Sequence, residues 1–182
     1  MMKNMKSEVI NKAVYNDIFL ITLGAMFISI SAQMPLSLPL LPTEIPGTWQ
    51  TFVILVFAFL TNRKIGILAV FVYLFAGALG LPVFAESSSG VEVLFGKTSG
   101  YLFGFLVGAG IVGHLGEQEN WKENFGKILL TMFLGTAVIV LIGTLVLGFF
   151  IGFKNGITYG LTPFLLGAVI KIILGAIFVK VI

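Results

Sequence analysis

The sequence predicts an all-α integral membrane protein of six transmembrane helices, and three observations lead there. Hydrophobic residues make up 58% of the 182 residues and charged residues only 10%, with a mean hydropathy of +1.07, far from the make-up of a soluble domain. Apolar stretches recur along nearly the whole chain; at roughly 20 residues per crossing, about six fit with short connections, leaving no room for a soluble domain. Lysines and arginines are scattered at the ends of these stretches, so the net charge of +3 reflects topology rather than a nucleic-acid surface. The absence of cysteine excludes disulfide frameworks, thiolate metal sites and cysteine nucleophiles.

The first 16 residues, MMKNMKSEVINKAVYN, are polar and basic and lead into an apolar run. That run lacks a clean small-residue cleavage site and more spans follow, so it reads as a retained first helix over about 17–33. The segment QMPLSLPLLPTEIPGTWQ follows, and Pro35, Pro39, Pro42 and Pro46 rule out regular helix across it. It gives a first loop over about 34–47, whose non-helical backbone at membrane depth must be covered by protein or line a cavity. A short second helix is expected over 48–61, closed by the turn NRK, and a third over 65–80. LPVFAESSSGVEVLFGKTSG supplies the longest polar, glycine-rich connection, a loop over about 81–97. The fourth helix, 98–116, carries Gly100, Gly104 and Gly108 on one face, which admits another helix or a ligand close to its backbone. After the charged turn GEQENWKEN come a fifth helix, 127–150, and a sixth, 157–180.

Basic residues near the span ends set the orientation. With the N-terminus in the cytoplasm, the inner segments hold Lys3, Lys6, Lys12, Arg63, Lys64, Lys122, Lys127 and Lys180, whereas the outer ones hold only Lys97 and Lys154. Both termini are therefore expected inside, with the proline-rich and glycine-rich loops outside.

Lys171 breaks the pattern of the last helix. It lies eleven residues from the C-terminus, roughly 16 Å from the inner end at about 1.5 Å per residue, near the middle of the bilayer. Gly167, Ala168 and Gly175 share its face and leave room for its stem. A lysine at that depth costs about 2.5–3.5 kcal/mol and marks a candidate functional site; the structural reading is a lysine donating to a helix-end carbonyl. All eight acidic residues fall in tails, loops or span ends, which disfavours proton or sodium coupling along a carboxylate path. An anionic or carbonyl-bearing ligand entering from outside would satisfy Lys171.

GVEVLFGKTSG resembles a phosphate-binding loop, but five residues separate Gly90 from Gly96 where that pattern needs four, and no buried strand precedes it. His114 is the only histidine, which removes histidine-pair zinc chemistry. No metal, catalytic group or cofactor is expected.

Four other stretches match as a set. PGTWQ, GALGLPVFA, GKTSGYLFGF and PFLLGAVIK resemble, in order and spacing, segments of the BioY family, the biotin-specific S components of energy-coupling factor (ECF) vitamin transporters. The resemblance covers about residues 18–180. It implies an S-component fold of six helices with both termini inside and a vitamin pocket near the outer face. It also implies a membrane subunit that binds biotin while a transmembrane coupling subunit and two ATPase subunits drive its reorientation. Thr48 and Gln50 match the family's PxTxQ pattern, Tyr101 the tyrosine of its GGY segment, and Lys171 the lysine of its GDxxK segment. The resemblance then makes Lys171 a partner for a polar group of the ligand. Tyr101 and Trp49 become contacts for fused rings, Gln50 and Ser88 hydrogen-bonding partners and Phe84 a further ligand contact, while Trp49 equally fits an interfacial belt. Ala25 and Ser29, in a patch of small residues with Gly24, fit the spacing by which S components dock on the coupling subunit, and equally fit packing within the molecule.

The chain departs from the family at Ala168, where members usually have aspartate, and at Lys97, where they have proline. Glu86 or Glu92 would substitute for the missing carboxylate from the loop, and Lys97 would add a second positive charge. Three other readings stay open: the same scaffold binding another ring-bearing acid such as lipoate, a small intramembrane enzyme acting on lipids with Lys171 as base or nucleophile, and a structural or assembly protein.

Overall fold

The structure is a computed structural model that describes residues 2–36 and 46–182, with side chains described from residue 13 onward. Pro39 and Pro42, and the side chains of Lys3, Lys6 and Lys12, lie outside what is described. The chain folds as α1 (Met2–Ala32), α2 (Gln50–Leu60), α3 (Arg63–Ala78), α4 (Val91–Leu94), α5 (Ser99–Gly116), α6 (Phe125–Ile151), α7 (Phe153–Gly156) and α8 (Phe164–Val181). Among the described residues there is no β-strand, only an isolated antiparallel bridge between Pro35 and Thr48.

Four segments are long and apolar enough to cross a bilayer: Ala13–Ala32, Ser99–Gly116, Phe125–Ile151 and Phe164–Val181. Their large apolar side chains face outward, as Phe19 and Phe27 do on α1, Phe133 and Leu141 on α6, and Val169 and Ile173 on α8. So much exposed apolar surface would aggregate in water and suits contact with lipid. The chain is a multi-pass membrane protein. At 11 residues, α2 is about 16 Å long, roughly half a hydrocarbon core. It turns back through Thr61 and Asn62 into α3, whose first turn is capped by the Asn62 side chain accepting from the Ile65 N–H at 2.9 Å. Asn124 caps α6 in the same way through the Lys127 N–H.

The glycine face of α5 is taken up by α6. A Cβ on Gly100 would stand 2.7 Å from the Ile142 carbonyl oxygen, and one on Gly104 would stand 3.1 Å from the Ile139 Cα. Gly135 of α6 returns the contact toward Leu55 and Val112. Small residues let two backbones approach where no hydrophobic force separates helix from lipid. On α1, Gly24 sits under the Phe57 ring and against Ala69, and Ala25 is buried beside it.

Two features depart from a plain six-helix count. The expected last helix, 157–180, is regular only from Phe164. Residues Ile157–Leu161 form a π-helical turn after the short α7, and the chain bends through Thr162 and Pro163. Pro163 has no N–H to give to the preceding turn and its ring clashes with that turn's carbonyl, so an apolar run need not be an unbroken helix. In the long connection, a 3₁₀ turn (Ala85–Ser87) precedes α4. Gly90, at φ +101°, donates its N–H to the Gly77 carbonyl at 2.8 Å and ties the connection back onto α3.

Candidate functional site

The stems of the first loop come together before the site is built. The Leu36 N–H donates to the Gly47 carbonyl at 2.8 Å and the Trp49 N–H to the Met34 carbonyl at 3.3 Å. This pairing fixes residues 46–49 beside the starts of α2, α5 and α8. A cavity of about 320 Å³ lies there, within the usual size range of small-molecule sites. Thr48, Gln50 and Thr51 line one wall. Tyr101, Leu102 and Phe105 of α5 face Thr136, Ile139 and Val140 of α6, while Phe164, Ala168 and Lys171 close the α8 side. Phe84, Ala85, Glu86 and Ser88 come from the connection after α3.

Lys171 is only 8% exposed, and its Nζ donates to the main-chain carbonyl of Thr48 at 3.1 Å. The acceptor belongs to the approach to α2, not to a helix C-terminus. Among the described residues no carboxylate pairs with this ammonium. Lys180, one helix end away, is exposed and donates to the Glu123 carbonyl at 2.7 Å, an interfacial arrangement.

Thr48 and Gln50 form a closed network. The Thr48 hydroxyl donates to Gln50 Oε1 at 2.9 Å and accepts the Gln50 N–H at 3.3 Å, while Gln50 Nε2 donates to the Tyr73 hydroxyl at 2.7 Å. Tyr73 is fully buried and stacks edge-on against Phe84 at 5.4 Å. Tyr73→Phe leaves one buried amide N–H of Gln50 without its acceptor. It is expected to cost about 1–3 kcal/mol, read as a lowered thermal midpoint of the purified protein, with Tyr101→Phe as a single-hydroxyl comparison.

Tyr101 donates its hydroxyl to the Gly160 carbonyl at 2.6 Å, at the break before α8, and its ring tilts against Phe164 with centroids 5.8 Å apart. The ring rests on Gly143. Phe84 is buried, its ring wedged against Gly77. Ser88 is half-buried and spends its hydroxyl proton on the Ala85 carbonyl at 2.7 Å, leaving its lone pairs to the cavity.

Other sequence candidates fall elsewhere. Trp49 does not line the cavity; its ring meets Phe52 edge-on at 5.7 Å. Glu86, Glu92 and Lys97 are all exposed, and of the three only Glu86 is part of the lining. Ala25 is buried, whereas Ser29 is half-buried and its hydroxyl donates to the Ala25 carbonyl within α1 at 2.8 Å. Sequence reading missed Gln33 and Tyr73. A polar side chain ending an apolar run, and a tyrosine inside one, each need a hydrogen-bond partner, and that need was the available signal.

Among the described residues no three histidine, aspartate or glutamate side chains gather as a metal site. The lining of the cavity offers one ammonium, one carboxylate, several hydroxyls and aromatic rings, an arrangement suited to holding a small amphipathic molecule.

Comparison with known proteins gives a consistent result. A model of the BioY family matches residues 2–182. The Biotin transporter BioY of Thermotoga maritima is 39% identical over 143 residues, which cover 78% of this chain and 82% of that protein. Biotin transporter BioY2 of Lactococcus lactis subsp. cremoris is 34% identical over 161 residues, covering 87% and 85%. The Probable biotin transporter BioY of Pyrococcus horikoshii is 33% identical over 156 residues, covering 85% and 88%. Among solved structures, the S-component for biotin from an ECF-type ABC transporter superposes with a TM-score of 0.78, covering 93% of this chain and 92% of that one. At 22% identity that likeness establishes the shared fold.

Proposed function

The chain belongs to the BioY family, and from that premise we propose that it is the substrate-binding membrane subunit for biotin uptake. It is a transport component rather than an enzyme. It takes biotin at the outer face and delivers it inward when an ECF module, a transmembrane coupling subunit with two ATPase subunits, drives it. The membrane is a prokaryotic plasma membrane, as the bacterial and archaeal sources of its relatives support. In this reading α1, α3, α5, α6 and α8 each cross, residues 46–49 and the short α2 together make the remaining crossing, and both termini are cytoplasmic, which the asymmetry of basic residues supports. The loops over about 34–47 and 81–97 gate the cavity from outside.

The observation that carries the reading is the buried Lys171 ammonium, lining the cavity with one main-chain carbonyl as its partner. Such a cation is costly in a membrane unless a ligand uses it. Lys171 takes the carboxylate of biotin through its largely buried ammonium, where a charge-assisted hydrogen bond is strong. Tyr101 and Phe84 pack on the fused rings, and Ser88, Thr48 and Gln50 border its polar atoms.

Equilibrium binding of radiolabelled biotin to the detergent-purified protein tests this, with unlabelled lipoate as competitor. Saturable binding that excess lipoate does not displace is the expected result. Absence of saturable binding overturns the reading, and equal displacement by lipoate transfers it to another ring-bearing acid.

A further inference from the structure

Among the described residues, only Glu86 (φ 57°) and Ser87 (φ 54°) adopt a left-handed backbone without being glycine. Two adjacent residues of this kind are held only by surroundings that over-determine them, and such outliers gather at functional sites. Here the surroundings are specific. Gln33, just past the end of α1, receives both the Ser87 N–H (3.0 Å) and the Ser87 hydroxyl (3.2 Å) on its Oε1, and its Nε2 donates to the Phe84 carbonyl at 2.8 Å. The Phe84 N–H closes the turn on the Ser88 carbonyl at 3.1 Å, while its ring is anchored against Gly77.

The clamped turn brings Glu86, itself exposed, to the lining of the cavity, where it is the one carboxylate among the described lining residues, as the buried Lys171 is the one ammonium. An ionised carboxylate accepts hydrogen bonds and donates none. A cavity with an ammonium and a carboxylate on walls otherwise largely apolar therefore selects a ligand with an anionic group and a separate set of N–H donors. It disfavours an acid whose ring offers no donors.

Resting on the biotin reading, we propose that Glu86 is a specificity-determining residue that accepts hydrogen bonds from the N–H groups of the ligand's cyclic urea, and that Gln33 is its positioning residue. The clamp explains why the turn is held in a conformation that glycine would adopt more readily. It also assigns a use to a polar side chain at the end of α1 that no other part of the site requires.

The test compares dissociation constants of the purified protein for biotin and for 2-iminobiotin, in which an imino group replaces the urea oxygen and makes the ring a guanidinium at neutral pH. That cation pairs with a carboxylate more strongly than the neutral urea does. Glu86→Gln keeps the shape and removes the charge. It is expected to weaken 2-iminobiotin binding at least about tenfold more than biotin binding, and Gln33→Ala is expected to shift the same ratio in the same direction. If Glu86→Gln weakens both ligands equally, or neither, the assignment of Glu86 is overturned. If Gln33→Ala lowers both affinities without moving the ratio, Gln33 is structural and its positioning role is overturned. Failure of the unaltered protein to bind biotin is a separate result, and removes the biotin reading on which the proposal stands.

Discussion

Lys171→Met is expected to weaken biotin binding at least about tenfold, equivalent to about 1.4 kcal/mol, while leaving the protein as stable as before or more so. Methionine keeps an unbranched chain of similar reach and fills the same slot. The variant gives up one hydrogen bond to the Thr48 carbonyl, worth about 1.5–3 kcal/mol for a charged donor. Against that it removes a charge whose placement at membrane depth costs about 2.5–3.5 kcal/mol. Stability and affinity should therefore move apart, which a merely structural lysine would not produce. Parallel measurements of the thermal midpoint and of radiolabelled biotin binding check this. A neutral amide of biotin supplies a control: it should bind the unaltered protein weakly and be indifferent to Lys171→Met. Undiminished biotin binding by the variant would mean that the ammonium does not take the ligand's carboxylate.

Gly143→Val is expected to produce the largest loss of stability among single changes at the cavity, together with loss of biotin binding. A side chain at Gly143 enters the Tyr101 ring. That ring cannot retreat easily, because its hydroxyl is held by the Gly160 carbonyl and its face lies against Phe164. Overpacking of this kind costs about 1–3 kcal/mol, and losing the Tyr101 hydrogen bond adds about 1 kcal/mol. Adding Tyr101→Ala to Gly143→Val vacates the space, so the double variant should regain part of the thermal midpoint that the valine removed. Its biotin binding should stay impaired because the aromatic wall is gone. Additive losses in the double variant would show that the two positions do not compete for one space.

Some of this architecture is readable in the sequence and some is not, for physical reasons. A spacing of four places Gly100, Gly104 and Gly108 on one face whatever surrounds them, so a close approach was readable, though not that α6 makes it. That Lys171 turns into the bundle was readable from the small residues that share its face, and it is 8% exposed. Its partner was not, because the Thr48 carbonyl is a main-chain atom 123 residues away that only tertiary packing brings near. PGTWQ marks a wall of the cavity, yet adjacent residues at a helix start point in different directions: Gln50 faces inward and Trp49 meets Phe52 instead. The broken start of the last helix was hidden because hydropathy runs on through Pro163, and only the backbone chemistry of proline interrupts it. Left-handed Glu86 and Ser87 were invisible for a related reason: neither is a residue type that announces positive φ.

The seam between α5 and α6 divides the freedom of a single helix to vary. On α5, positions 100 and 104 meet main-chain atoms of α6, the Ile142 carbonyl and the Ile139 backbone, that cannot rotate aside. Leu102 and Phe105, interleaved with them along the chain, border empty space. Substitutions at the first set have no direction in which to relax, whereas those at the second reshape a volume without moving the frame. A lineage of such proteins can therefore explore new cargoes by single replacements on one side of this helix while the other side stays fixed. The scaffold is thus one in which recognition can drift faster than architecture.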